Sequence, residues 1–136
     1  MIQSKIDDSL SFRNETAAIE SYYSTLNRGK FELTAALFSE QGQLIPPFDT
    51  PVVGSQAIAN YLKQEATDMS FNPVSETSQL LANGQTDVEV RGKVRTSTFS
   101  VNVVWSFLIS AEGEIDLVQV NLLASLQELM HLRPKS

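Results

Sequence analysis

No cysteine occurs among the 136 residues. A disulfide framework, a thiolate nucleophile and a cysteine-based metal site are therefore excluded. Histidine occurs once, as His131 near the end of the chain. A metal site built on histidines has too few ligands, and a Ser-His-Asp triad has no frame to fix the imidazole. His131 reads as a solvated tail residue, favourable near a helix C-terminus. Positive charge is scarce: 10 Lys and Arg against 16 Asp and Glu leave a net charge of −6. That balance opposes a sequence-independent hold on nucleic acid or anionic lipid, both of which need cations against phosphate. Long apolar runs are missing too. The most apolar stretch, Val101 to Ile109, is interrupted by Asn102 and Ser106 and falls well short of the roughly 20 residues of a membrane span. The start, MIQSKIDDSL, carries Lys5 beside Asp7 and Asp8 with no apolar run behind it, so no secretory signal is read and a soluble, cytoplasmic protein is expected.

What is present is the composition of a globule, 42% hydrophobic and 19% charged. No repeat, low-complexity segment or Pro/Gly/Ser-rich linker divides it. Residues 1–13 read as a flexible arm and 14–136 as a single domain. Ser11 or Asn14 caps a first helix in which Ala18, Ile19, Tyr22, Tyr23 and Leu26 recur at helical spacing, with Gly29 beyond its end. A second, shorter helix takes Phe31, Leu33, Leu37 and Phe38 as its apolar side. Pro46, Pro47 and Pro51 then force an extended edge segment with turns. Ser55 caps a third helix carrying Ile58, Tyr61, Leu62 and Ala66.

Strands follow. A first run over about 71–82 ends at Asn83-Gly84, a strong hairpin signal. From Thr86 to Thr96 the chain alternates, with Asp87, Glu89, Arg91, Lys93 and Arg95 on one face and Val88, Val90, Gly92 and Val94 on the other. Phe99, Val101, Val103, Trp105, Phe107 and Ile109 share a face of the next strand. Ala111-Glu112-Gly113 turns the chain into a last strand, Ile115 to Ala124. Ser125 caps a tail helix over about 125–132. Helices followed by a curved antiparallel sheet make an α+β cone, two layers around one core.

Acid–base chemistry finds little support. Asp87 and Glu89 point away from the apolar face, Glu112, Glu114 and Asp116 surround a turn, and Asp7 and Asp8 lie in the arm. Asp49, after Pro-Pro-Phe, is the one acid placed near a pocket mouth. Tyr22 and Trp105 are more informative. Each is an aromatic on an apolar face whose O–H or N–H needs an acceptor when buried. Core packing with a backbone acceptor and convergence on a ligand carbonyl both remain open from spacing alone.

The cone resembles the nuclear transport factor 2-like superfamily, which holds ketosteroid isomerases and many binding modules. More specifically, ALFSEQGQLIPPFDTPVVGSQAIANYL, NGQTDVEVRGKVRT, VNVVWSFLISAEGEI and LLASLQEL resemble, in order and spacing, the C-terminal domain of orange carotenoid proteins and its standalone homologues. The resemblance implies a ketocarotenoid ligand, canthaxanthin or echinenone, and no catalysed reaction. It implies that Tyr22 and Trp105 donate hydrogen bonds to the keto oxygen, with Phe38, Pro47, Phe48, Val103 and Phe107 as candidate pocket lining. Glu65 matches a family carboxylate that pairs with an arginine of a helical domain, so a separate helical carotenoid protein is an expected partner. Thr98 stands roughly where the family's photoreceptors carry a second tryptophan, and Leu126 where proline is frequent. The implied role is uptake, carriage and delivery of carotenoid, photoprotection and quenching of singlet oxygen, with transient membrane contact during uptake.

A chain of this length has a radius of gyration of about 14 Å, so its diameter scarcely exceeds the length of a C40 carotenoid and half the polyene is expected to protrude. The exposed remainder predicts a two-fold dimer sharing one pigment. Two other classes stay in view: an enzyme of the ketosteroid-isomerase type, and a pigment-free dimerisation module using the outer sheet face, where Val104 and Leu108 alternate with Asn102 and Ser106.

Overall fold

The computed structural model describes residues 16–123. The expected arm 1–13 and tail helix 125–132 lie outside the described residues, as do the first helix's candidate caps. Residues 16–27 are helical and form α1; α2 is Phe31–Ala35 and α3 is Ser55–Glu65. The strands are β1 (Phe38–Ile45), β2 (Val52–Val53), β3 (Ser70–Leu80), β4 (Thr86–Arg95), β5 (Ser100–Ile109) and β6 (Ile115–Leu123). They form one six-stranded sheet in the order β2-β1-β6-β5-β4-β3. No helix among the described residues is long and apolar enough to cross a membrane.

Two expectations are corrected. The second helix stops at Ala35, and Phe38 begins a strand instead of closing an apolar helix side. A helix of five residues gains little from its own hydrogen bonds, and the sheet captures the backbone behind it: the Ile115 N–H donates to Leu37 O at 3.0 Å. Leu33, expected on the apolar side, is exposed. The sheet is also mixed, because β1 runs parallel to β6. That pair joins residues far apart in sequence, linked by the whole excursion through α3 and four strands, and parallel neighbours need such a crossover. Side-chain period within a segment reports its faces and says nothing of its neighbour's direction. The remaining pairings are antiparallel.

Turn chemistry fixes the strand ends. In the β3–β4 turn, Leu81 N–H donates to Gln85 O and Gly84 N–H to Leu81 O, with Gly84 at φ +91°. The β5–β6 turn repeats this: Ser110 N–H to Glu114 O, Gly113 N–H to Ser110 O, and Gly113 at φ +88°. Both are three-residue loops whose last residue must be left-handed, which glycine adopts freely. The β4–β5 turn has no glycine. There the Thr96 hydroxyl oxygen accepts from Thr98 N–H and Phe99 N–H, each at 3.2 Å. Ser55 opens α3 rather than capping it; the cap position is Gly54, with no side-chain hydrogen bond.

Alternation decides the two faces of the sheet. Val88, Val90, Gly92 and Val94 of β4 stand opposite Phe107, Trp105, Val103 and Val101 of β5. Val118, Val120 and Leu122 of β6 continue the same rows. This inner face meets α1, where Tyr22 packs edge-on against Phe107 at 5.1 Å and Tyr23 against Trp105 at 5.1 Å. Such edge-to-face pairs add roughly 0.5–1.5 kcal/mol each beyond their burial. The end of α1 is pinned to the edge strand by one side chain. Asn27 Nδ2 donates to Phe71 O at 2.8 Å, and Phe71 N–H donates to Asn27 Oδ1 at 2.7 Å. The amide thus imitates a neighbouring strand.

Candidate functional site

Between α1, α3 and the inner sheet face lies a cavity of about 270 Å³. Its wall is built from several elements at once. Tyr22 and Leu26 come from α1, Tyr61, Leu62 and Glu65 from α3, Val94 from β4, Val101, Val103 and Trp105 from β5, and Val120 and Leu122 from β6. Pro46 and Pro47 bring in the segment after β1, while Thr96 and Phe99 bring in the β4–β5 turn. The floor is deep, since Tyr22 and Trp105 are each only 2% exposed. The mouth is open and greasy, with Phe99 56% and Leu122 44% exposed.

Sequence reading placed two hydrogen-bond donors on apolar faces, and both line this one cavity. The buried polar atoms without a partner among the described residues are Thr16 Oγ1 and Tyr23 Oη. Neither Tyr22 Oη nor Trp105 Nε1 is among them, and both side chains border open cavity space. The adjacent tyrosine differs. Tyr23 faces the sheet, its ring set against Trp105 and Phe107, and is not part of the wall.

The other expected residues divide. Pro47, Val103 and Glu65 line the cavity. Phe38 and Phe107 do not: they are buried beneath Tyr22, with ring centroids 6.4 and 5.1 Å from its own. They support the floor from below. Phe48 is 95% exposed at φ +60°, because the turn that carries it aims the side chain away from the wall formed by Pro46 and Pro47. Tyr61, Met69, Phe71, Val120 and Leu122 were missed. Val120 and Leu122 had a signal, alternating with Val118 on the inner face of β6. Met69 and Phe71 sit at the join of α3 and β3, where no local period marks them.

Charge is confined to the rim. Glu65 is the one carboxylate in the wall among the described residues, and it is exposed. Asp49 lies close enough to Tyr61 that it and Glu65 hold the Tyr61 phenol above its ordinary value, after the larger effect of burial. No group of three or more candidate metal ligands occurs among the described residues. Chemically, the arrangement can seat an apolar body against a wall that includes Tyr22 and Trp105. It holds no carboxylate at the floor to move a proton.

Burial pushes the Tyr22 phenol well above its ordinary value; burial, then Tyr22 and Glu76, do the same for Tyr23. Tyrosines in the unfolded chain ionise near pH 10. Above that pH the unfolded state carries fewer protons than the folded one, so stability is full below about pH 10 and falls as pH rises beyond it. We expect the melting temperature to drop steeply above pH 10, with the tyrosinate absorbance of the buried Tyr22 and Tyr23 rising only as the protein unfolds. Tyr22→Phe and Tyr23→Phe are expected to flatten that dependence.

Comparison with known proteins gives this geometry its context. The nuclear transport factor 2 (NTF2) domain family matches residues 15–122. The orange carotenoid-binding protein of Synechocystis sp. is 33% identical over 119 residues, covering 85% of this chain and 38% of that protein. The solved structure of the Anabaena (Nostoc) orange carotenoid protein binding canthaxanthin superposes with a TM-score of 0.76 at 34% identity, over 85% of this chain and 38% of that one. This chain thus spans well under half the length of those relatives, and what it matches is their C-terminal domain. An epoxide hydrolase/cyclase-like enzyme of salinomycin pyran-ring formation shares the fold alone, with a TM-score of 0.66 at 16% identity over 85% of this chain and 94% of that one. The chain therefore belongs to the nuclear transport factor 2 domain family and, within it, is similar to the C-terminal domain of the orange carotenoid proteins.

Proposed function

We propose that this protein is a soluble carrier of a ketocarotenoid such as canthaxanthin or echinenone. The observation that supports the reading is one apolar cavity whose wall includes the buried Tyr22 and Trp105. A ring ketone is a neutral acceptor at the end of an apolar rod, the complement of that wall. Burial of the rod supplies affinity at about 25 cal/mol per Å². Each hydrogen bond adds only about 0.5–1.5 kcal/mol net, so Tyr22 and Trp105 select the keto end and set its orientation. Donors pulling on a conjugated carbonyl also shift its absorption to the red.

The cavity, at about 270 Å³, is below the roughly 300–1,000 Å³ of pockets that enclose drug-sized ligands. A C40 polyene protrudes from it past Phe99 and Leu122. A second copy that takes the other end shields the rest, giving one pigment per two chains. In the cell such a dimer stores and delivers pigment, taking it up at membranes, passing it to a helical carotenoid protein that docks at Glu65, and quenching singlet oxygen. The isomerase alternative lacks a base at the floor. Its one lining carboxylate, Glu65, sits at the mouth.

The test is expression beside canthaxanthin, followed by the visible spectrum and the pigment-to-chain ratio. A coloured protein with one pigment per two chains is expected. Tyr22→Phe and Trp105→Phe are each expected to move the band to the blue and weaken retention about two- to twelvefold, the equivalent of one hydrogen bond. Colourless protein, or spectra unchanged in both variants, removes the reading; turnover of a ketosteroid without pigment favours the enzyme.

A further inference from the structure

The aromatic layer behind the cavity supports its two polar members unequally. Among the described residues Tyr22 has three aromatic neighbours, Tyr23 at 5.2 Å, Phe107 at 5.1 Å and Phe38 at 6.4 Å. Trp105 has one, Tyr23, whose ring stands against it at 5.1 Å and 84°. Within the sheet Trp105 is flanked by Val90 of β4 and Val120 of β6. Both are short, β-branched side chains that stand upright from the pleat and offer an indole little flat surface. Aromatic support for the indole therefore comes from α1, through Tyr23.

Tyr23 is buried and stays outside the cavity wall, and its hydroxyl finds no hydrogen-bond partner among the described residues. A buried hydroxyl without a partner costs stability, so the residue contributes through its ring. Glu76 stands in the same cross-strand row as Val90 and Trp105, turned inward by the register shift between Pro73 and Ser75. Its charge acts on the Tyr23 tip. A ring that touches Trp105 and ends near Glu76 crosses the row at Val90. Neighbouring helix positions point about 100° apart. One step along α1 therefore takes the chain from Tyr22 in the wall to Tyr23 behind it.

We infer that Tyr23 is a positioning residue for the cavity: its ring braces the Trp105 indole from behind and couples it to Tyr22. Both rings meet Tyr23 edge-on, at 85° and 84°, so a tilt of the indole must displace Tyr23, and through it Tyr22 and α1. Trp105 carries the larger dependence, because Tyr22 keeps Phe38 and Phe107 when Tyr23 is cut back. The bearing on pigment rests on the carrier reading above: an indole that is not held donates a weaker hydrogen bond, and the band moves to the blue.

The pigment-free full chain tests the brace directly, because Trp105 is its sole tryptophan and the source of all indole fluorescence. Tyr23→Leu is expected to raise the acrylamide quenching constant about twofold or more, the lower worth of one edge-to-face pair. The indole fine structure in near-ultraviolet circular dichroism is expected to shrink with it. Tyr23→Met, whose flexible chain fills gaps better, is expected to give a smaller change in the same direction. Tyr23→Phe keeps the ring and is expected to leave both readings at the parent's. Ile58→Ala, at a buried α3 site outside the wall, is expected to lower the melting temperature without moving either reading. In protein loaded with canthaxanthin, Tyr23→Leu is expected to shift the band to the blue in the parent and in Tyr22→Phe. In Trp105→Phe, where the braced group is gone, it is expected to add nothing. Quenching unchanged in Tyr23→Leu, or raised equally by Tyr23→Phe or Ile58→Ala, overturns the inference. Protein that takes up no canthaxanthin counts against the carrier reading alone, since the fluorescence comparison still decides the brace.

Discussion

Phe107→Ala is expected to cost about 3–5 kcal/mol of stability, the usual loss for emptying a buried aromatic site. Phe107 has no exposed surface and holds the Tyr22 ring at 5.1 Å and the Tyr23 ring at 6.2 Å. Its strand neighbours Val88 and Val118 are short and pinned by the sheet, so the space left behind stays open. Phe99→Ala is the matching contrast. That side chain lines the mouth and is more than half exposed, and its loss is expected to change stability by no more than about 0.5 kcal/mol. Pigment retention is expected to fall in Phe99→Ala all the same, because the ring shields protruding polyene. Urea titration of both variants, with retention measured separately, checks the pair. Equal stability losses at the two positions would contradict the division between floor support and rim.

Gly92→Val is expected to destabilise by about 3 kcal/mol, the upper end of overpacking costs. A Cβ at Gly92 comes within 2.2 Å of Asn72 O and 2.9 Å of Pro73 Cα. Both are backbone atoms of β3 and no rotamer relieves them. The sheet is tight here because the β3–β4 register shifts between Pro73 and Ser75. The strain is expected to spread to the cavity, since β3 also carries Phe71, which lines the wall and is clamped by Asn27. Chemical denaturation with hydrogen exchange checks this. Early loss of protection in the β3 amides is expected, and unchanged exchange there would place the strain elsewhere.

Much of this was legible in the chain. The alternation of β4 gave its faces residue by residue, and Asn83-Gly84 and Glu112-Gly113 marked their turns through glycine's access to positive φ. Tyr22 and Trp105 were found because a polar tip on an apolar stripe is conspicuous. The start of β1 was misread because Leu37 and Phe38 continue the spacing of α2, and only the backbone bond from Ile115 breaks the tie. Phe38, Phe48 and Phe107, candidate lining on the resemblance, fall outside the wall, because hydrophobicity does not distinguish a wall from what lies behind it or from an exposed turn.

The division has a physical origin. Period, turn chemistry and composition are properties of neighbours in sequence, so the chain alone determined its elements, their buried faces, the absence of thiol chemistry and the two donor aromatics. The cavity joins α1 to β6 and the turn at Thr96 to Pro46, and the β1–β6 pairing joins Phe38 to Ile115. Such contacts form only when distant segments meet, each at the cost of closing a long loop. Tertiary structure therefore decided which apolar faces enclose a space and which of the expected residues line it.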